Sequence, residues 1–324
     1  VQRSAVPPAA PGGPRAAVTW PGVPGAPDKT VVSVSLGSAR RDADEQVELL
    51  GHRVRMVRRG VGGDLEAARR LVGELDGRVD AIGLGGTDLY LKVGDRRYTI
   101  RDAARIAAAA KRTPVVCGAG LKDSLERGAV AALEPVVGWR GRRVLMVSSV
   151  DRFGMAEALA QQGADVLYGD LIFGLGIDVP LRSLEALKGI ARVALPVIAR
   201  LPFRWFYPTG ASQDAPPRPR HQRHYRWAEV LAGDWHYIRA HAATDLTGKD
   251  VLTNTTTAED VAFLRAAGAR RLVTTTPRIG GRSVGTNLLE AAFVAVEGAP
   301  GELTRARYEE LIAAAGLGPT VLDL

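Results

Sequence analysis

The chain has 324 residues, 46% hydrophobic and 24% charged, with a formal net charge of +8. That is room for two domains with a sizeable core, and the single cysteine, Cys117, excludes an internal disulfide framework and a cysteine-built zinc site. The surplus charge is local, with seven arginines against one acid, Asp214, in residues 191–226; this argues for an anionic small ligand or an acidic partner rather than a nucleic-acid surface.

Residues 1–28 are rich in Pro, Ala and Gly and lack both apolar periodicity and the continuous apolar core of a secretory signal. A disordered extension is expected there, with order beginning near Lys29. From residue 30, β-branched runs alternate with helical patterns. TVVSVSLG and HRVRMVRRG read as strands, DLEAARRLVGELDG as a helix opened by an aspartate, and VDAIGLGG as a third strand. LYLKVGDRRYTI predicts a hairpin on its Gly-Asp turn. The helix RDAARIAAAAKRT, the strand PVVCGAG and the helix LKDSLERGAVAAL close an N-terminal α/β substrate domain over 29–137.

A second unit, 138–300, begins at GWRGRRVLMVSSV and continues through GMAEALAQQGA and DVLYGD, a βαβ pattern. Further strands are expected in 228–234, 249–255 and 270–276, alternating with helices, while 174–227 fits the alternation poorly and reads as an insertion. The C-terminal segment, 301–324, carries a helix expected to pack back on the first domain. The fold class is therefore α/β: two α/β domains, the second a Rossmann-like doubly wound, mostly parallel sheet. The apolar stretch 171–203 is broken by Asp178, Arg182, Glu185, Lys188, Arg192 and Arg200, so no membrane span is expected.

Candidate site residues cluster at strand ends. The first βα turn of the second unit, Ser148-Ser149-Val150-Asp151-Arg152-Phe153-Gly154, has one glycine where a dinucleotide fingerprint needs three, yet Ser148, Ser149, Arg152 and Gly154 suit a phosphate and Asp170 a ribose. Asp151 would repel a phosphate, and simple turn-and-cap chemistry reads the same residues equally well. Lys122 opens a helix, where a lysine opposes the dipole, and is therefore aimed at an anion or an acid/base task, or is a solvated surface lysine. Asp88 follows GLGG, whose glycines admit a ligand to the backbone or merely shape a turn. Asp234 and His236 stand at the end of the strand AEVLAGD. HQRH has no cysteine or paired acid to complete a metal site, and no metal is expected.

The strands KDVLTNTTT and RRLVTTTP flank one helix, so both threonine runs share one sheet edge. Thr257 suits a helix cap; Asn254, Thr255, Thr275 and Thr276 are left to line a site, with Arg278, Arg282 and Ser283 beyond them.

The motifs VVSVSLGS, GLGGTDLYL, YTIRDA, VLMVSSVDRFGMAEAL, YGDLIFGLG, LPFRWFYPTG, GDWHYI, VLTNTTTAEDV and TTTPRIGGRSVGTN resemble a bacterial family labelled quinate 5-dehydrogenase, over about residues 30–318. The resemblance implies an oxidoreductase similar to shikimate/quinate dehydrogenases, acting on a hydroxylated carboxylic acid with NAD or NADP, while the single cysteine, which suits a reducing cytosol, leads to the expectation of a cytoplasmic protein. A catalytic Lys–Asp pair would have Lys122 and Asp88 as counterparts. The glycine-rich loop of those enzymes is replaced here by SSVDRFGM. Two other readings stand beside it: a transferase or hydrolase on a phosphorylated or nucleotide-activated sugar, clamped by Arg152, Arg278 and Arg282, and a non-catalytic ligand-sensing or partner-binding protein. A small anionic or polyhydroxy ligand is expected, the partner-binding form of the last reading would dock through the basic aromatic segment 191–226, and a homo-oligomer is compatible with each.

Overall fold

The structure, a computed structural model, describes residues 25–201, 219–276, 278–279 and 282–324, with the backbone alone at 278, 279, 282 and 283. Most of the Pro/Ala-rich extension and the aromatic run Phe203 to Tyr207 lie outside the described residues.

The first sheet is built from β1 (Lys29–Ser35), β2 (Ala43–Leu49), β3 (His52–Gly60) and β4 (Ala81–Gly85), with helix α1 (Leu65–Leu75) between the last two. A separate hairpin, β5 (Tyr90–Val93) and β6 (Arg96–Thr99), turns on Gly94 and leads to α2 (Arg101–Ala107) and the short strand β7 (Val115–Val116). Strand order is β2-β3-β1-β4-β7. All pairs are parallel except β2 with β3. β1 buries five successive residues, Val31 to Ser35, as expected of a central parallel strand covered on both faces. β2 is a charged edge strand, ADEQVEL, which carries enough acid to read as a loop. The Asp64 side chain accepts from the amides of Glu66 and Ala67 and caps α1.

Helix α3 (Ala119–Val137) carries the chain to the second sheet: β8 (Arg143–Met146), α4 (Phe153–Gln161), β9 (Asp165–Tyr168), α5 (Leu184–Ile198), α6 (Gln222–Trp227), β10 (Val230–Ala232), α7 (Trp235–His241), β11 (Asp250–Thr253), α8 (Ala258–Ala266) and β12 (Arg271–Thr274). A π-helical turn, Asp170–Gly174, follows β9. Thr257 and Asp260 form a reciprocal capping box at the start of α8. The small hairpin β13 (Arg278–Ile279) and β14 (Arg282–Ser283) precedes α9 (Thr286–Glu297), which packs on β1 and β4 of the first sheet. Then α10 (Arg305–Ala314) lies on α3, and the chain ends in β15 (Thr320–Asp323), antiparallel to β12 in the second sheet. The order there is β15-β12-β11-β10-β8-β9, with all other pairs parallel.

The molecule thus comprises two α/β domains whose parallel and mixed sheets are flanked by helices, and the chain passes between them three times. One continuous apolar core runs from Val34 and Leu84 of the first sheet through Val130, Leu133 and Trp139 to Val144 and Met146 of the second. Helix α9 closes the other face of the first sheet, with Phe293 and Val294 fully buried. Gly83 in β4 and Gly118, just after β7, serve that helix. A Cβ on Gly83 would stand 2.5 Å from the Asn287 carbonyl oxygen, and one on Gly118 2.6 Å from the Asn287 amide nitrogen.

Candidate functional site

Helix α3 departs from β7 through Gly118, whose φ of 90° suits a residue without a side chain. One turn on, Lys122 donates to Asp88 Oδ2 at 3.2 Å and to Asp151 Oδ1 at 2.9 Å. Asp88 follows β4 and Asp151 follows β8, so one ammonium ties the carboxyl ends of both sheets. The two carboxyl groups are close enough for each to shift the other's proton affinity. Arg152, 3% exposed, extends the network: it donates to Glu126, to Asp234 Oδ2 at 2.9 Å, and stands 3.8 Å from Asp151. Glu126 lies four residues beyond Lys122 on the same face of α3.

The strand tips of the second domain continue the line. Asp234 Oδ2 also accepts from Asn254 Nδ2 at 3.3 Å, and Asp234 Oδ1 accepts from the His236 amide at 2.9 Å. The Ser148 hydroxyl accepts from the Asp234 amide at 3.1 Å. Thr276 Oγ1 donates to the Asn254 carbonyl at 2.7 Å, Thr255 is half-buried, and Thr275 Oγ1 is buried with no partner among the described residues. The structure therefore brings Ser148, Arg152, Asp234, the His236 amide, Asn254 and Thr276 together with Asp88 and Lys122. The side chains of Arg278, Arg282 and Ser283 lie outside the described residues. Three members were not singled out as site residues in the sequence: Asp151, read there as repelling phosphate, Glu126 and Tyr237. The i, i+4 pairing of Lys122 with Glu126 was the available signal for the second.

Burial pushes the Asp88 carboxyl well above the ordinary range, with Lys122 opposing and the Asp151 carboxylate reinforcing the rise. Burial acts the same way on Asp151, but Lys122 and Arg152 outweigh it and hold that group low. Burial likewise pushes Glu126 up to about 7, against the pull of Arg152. For Lys122 burial is overcome by Asp151 and Asp88, which raise its value above that of a free lysine. Tyr237 is raised first by burial and then by the negative charges of Asp234, Asp151 and Asp170.

These facts correct the dehydrogenase reading. A lysine whose proton is held by two carboxylates is a poor base at neutral pH, where an acid/base catalyst needs a value near the working pH. The expected NAD or NADP phosphate seat is taken as well. Asp170 Oδ1 accepts from the Val150 amide at 2.8 Å, and its carboxylate also bonds with Ser149, so a negative side chain already occupies the donors a pyrophosphate would require. Ser149 is fully buried, its hydroxyl directed at the Met146 carbonyl. Gly154 packs against Asp123 of α3, where a Cβ would collide with that side chain. Arg152, the proposed clamp for a phosphorylated sugar, is spent on Glu126 and Asp234.

Away from this network, His224 Nε2 and His221 Nδ1 meet the two oxygens of Asp178 at 2.9 and 3.2 Å. Among the described residues no group of His, Cys, Asp and Glu is arranged to hold a metal ion, and no helix is long and apolar enough to cross a membrane.

The chain is similar to several solved binding proteins. A sugar ABC transport system substrate-binding protein from Bordetella parapertussis 12822 matches at 14% identity over 91% of this chain and 89% of that one, with a TM-score of 0.38. An ABC transporter solute binding protein from Agrobacterium vitis with bound allitol matches at 12% identity over 91% and 95%, TM-score 0.39. GanP, a glucose-galactose binding protein from Geobacillus stearothermophilus, matches at 11% over 91% and 97%, TM-score 0.36. Each of these is named a binding protein. None of these matches carries the expected quinate/shikimate dehydrogenase resemblance, the oxidoreductase activity, the NAD(P) cofactor or the cytoplasmic placement. No curated protein matches the chain. One family model, a domain of unknown function, DUF8753, matches residues 30–117. A second matches residues 120–324, more than half of the chain, and the protein belongs to that family, the domain of unknown function DUF8754.

Proposed function

We propose that this is a non-catalytic binding protein that holds a small polyhydroxy ligand between its two domains. One observation carries the reading: the carboxyl ends of both parallel sheets meet on a single polar network. In each sheet the strand order reverses next to the first strand of the unit, between β1 and β4 and between β8 and β10. In a doubly wound sheet, which is how we read the second domain, that reversal opens a crevice at the strand ends where ligands bind. Asp88 stands just beyond the first reversal, Asp151 and Asp234 beyond the second. Carboxylates, the Asn254 amide and the Ser148 and Thr275 hydroxyls supply acceptors and donors spaced along one edge, the complement of a row of hydroxyl groups.

The raised proton affinity of Lys122 supports binding over catalysis, as does the closure of the dinucleotide turn by Asp170. The sugars and polyols named with the similar proteins belong to those proteins, but they set the first panel to try. A thermal-shift series with hexoses, pentoses and alditols, beside NAD and NADP, tests the reading. A ligand present at about 100 times its Kd stabilises by ~2.7 kcal/mol, a shift of several degrees. Asp234→Asn combined with Asn254→Ala should abolish it. A shift with a nicotinamide cofactor and none with any sugar or polyol would refute the proposal.

A further inference from the structure

Exposed apolar side chains are ordinary when scattered singly, but here they are gathered. Among the described residues five large hydrophobic side chains are left exposed, and all lie between residues 175 and 197. Leu175, Ile177 and Val179 alternate along the loop after the π-helical turn, each about half exposed. Val193 and Val197, 78% and 61% exposed, lie one turn apart on α5, opposite the side that buries Leu187, Ala191 and Leu195. Both pieces sit at one margin of the second domain. β9 is the edge strand of its sheet, Leu181 bridges to Tyr168 on that edge, and α5 starts three residues later and packs on α4. Helix α6 borders the same loop: Arg223 and His224 each meet Asp178 at 2.9 Å, and the Arg182 guanidinium stacks on Trp227 at 4.5 Å. The margin is also cationic. Residues 175–201 and 219–227 hold seven basic side chains, six of them arginine, against two acids, Asp178 and Glu185. Arg192, Arg200, Arg220 and Arg226 are exposed and make no ion pair among the described residues. Residues 202–218, outside the described residues, hold two more arginines and one aspartate, so they add to this charge.

We propose that the β9 margin of the second domain docks on an anionic lipid surface. Loop 175–180 and the outer side of α5 enter the headgroup boundary, and the arginines meet lipid phosphates. Charge selects this occupant. A second copy of the same face would bring arginine against arginine, whereas anionic headgroups complement it. Arginine meets phosphate oxygens in pairs, and clustered cations beside an amphipathic helix add attraction to acidic lipid. Shape favours lipid over an acidic protein. The apolar side chains project from a loop and from the convex side of a helix, so a protein would need a cavity matched to both. A bilayer interface accepts protruding apolar groups without one. Valine and isoleucine enter it shallowly, so docking is reversible and needs apolar area and charge together.

The test uses the full chain and vesicles of phosphatidylcholine, alone or with about 30% phosphatidylglycerol, read by co-sedimentation. Binding should need the anionic lipid and fall about tenfold between about 0.1 M and about 0.5 M salt. Val193→Asp and Ile177→Asp should each weaken it about tenfold. Their thermal midpoints should stay within about two degrees of the native value, as for other exposed sites. Arg192→Gln with Arg226→Gln should weaken binding about thirtyfold. The same charge removed from α1, by Arg69→Gln with Arg70→Gln, should cost less than about threefold. No binding to the anionic vesicles, equal binding to neutral ones, or equal losses from the two arginine pairs would overturn the proposal. So would unchanged binding by Val193→Asp and Ile177→Asp. A midpoint fall of about five degrees or more in either would overturn it too, because those side chains would then be covered by the chain itself. Crosslinking of an acidic protein to this face, by a chain that ignores the vesicles, would assign the surface to that partner instead.

Discussion

Replacing Lys122 by methionine removes the ammonium that joins the two domains while keeping an unbranched side chain of similar reach. Its nitrogen contacts Asp88 at 3.2 Å and Asp151 at 2.9 Å. Deleting one partner of a buried ion pair commonly costs 3–5 kcal/mol, because a charge is left uncompensated. The carboxylates here are 13% and 17% exposed and so remain partly solvated, and about 2–3 kcal/mol is the expected loss. The pH dependence is the stricter test. Asp88 is raised in the folded state, so its contribution is complete below the unfolded carboxylate value and is lost as pH climbs through the folded one. Asp151 is held low in the native protein and therefore contributes above the unfolded value. Without Lys122 it loses its main support and rises too, so both groups then lose stability as pH increases. Urea denaturation of both proteins at about pH 5 and about pH 8 should show the larger penalty at pH 8. A loss below about 1 kcal/mol at pH 8, or an equal loss at both, would refute the electrostatic account of this contact.

Gly118→Ala should lower stability by about 3 kcal/mol, since it places a side chain at φ 90° and its Cβ 2.6 Å from the Asn287 nitrogen; a thermal midpoint within a degree of the native value would contradict that packing. Glu290 is buried and accepts from the amides of Gly118 at 2.5 Å and Leu121 at 3.1 Å and from the Tyr308 hydroxyl at 2.8 Å. Glu290→Gln forces an amide N–H group toward those donors and should cost about 2 kcal/mol. Burial pushes Glu290 up to about 7, so the native contribution is full below the unfolded carboxylate value and fades as pH rises through about 7. The deficit of the variant, measured by urea denaturation, should accordingly shrink from pH 5 to pH 8. Thr257→Ala removes one half of the α8 capping box and should cost about 1 kcal/mol by the same measurement.

Patterns that depend on neighbours along the chain were legible in the sequence. The buried run of β1, the Gly-Asp hairpin of β5 and β6, the Asp64 and Thr257 caps and the alternation of strands and helices all follow from local periodicity and turn chemistry. So did the grouping of strand-end residues: because β10, β11 and β12 run parallel, Asp234, Asn254 and Thr276 had to share an edge. Two edge strands escaped. β2 carries Asp44, Glu45 and Glu48, which hide its alternation, and β15 is a four-residue strand whose pairing with β12 spans some fifty residues.

What went astray was chemistry judged one residue at a time. Lys122 at a helix start suggests a base, and only the tertiary structure supplies Asp88 from one domain and Asp151 from the other to hold its proton. Glycines in β4 suggest an approaching ligand, yet it is α9, two hundred residues downstream, that comes up to them. The turn at Ser149 and Val150 suggests a phosphate seat, and Asp170 fills it. Local sequence determined which residues reach the strand ends. Which of them remain available to a ligand was decided by contacts between distant segments, because a polar group's reactivity is set by the charges and donors around it, and the chain order does not state those.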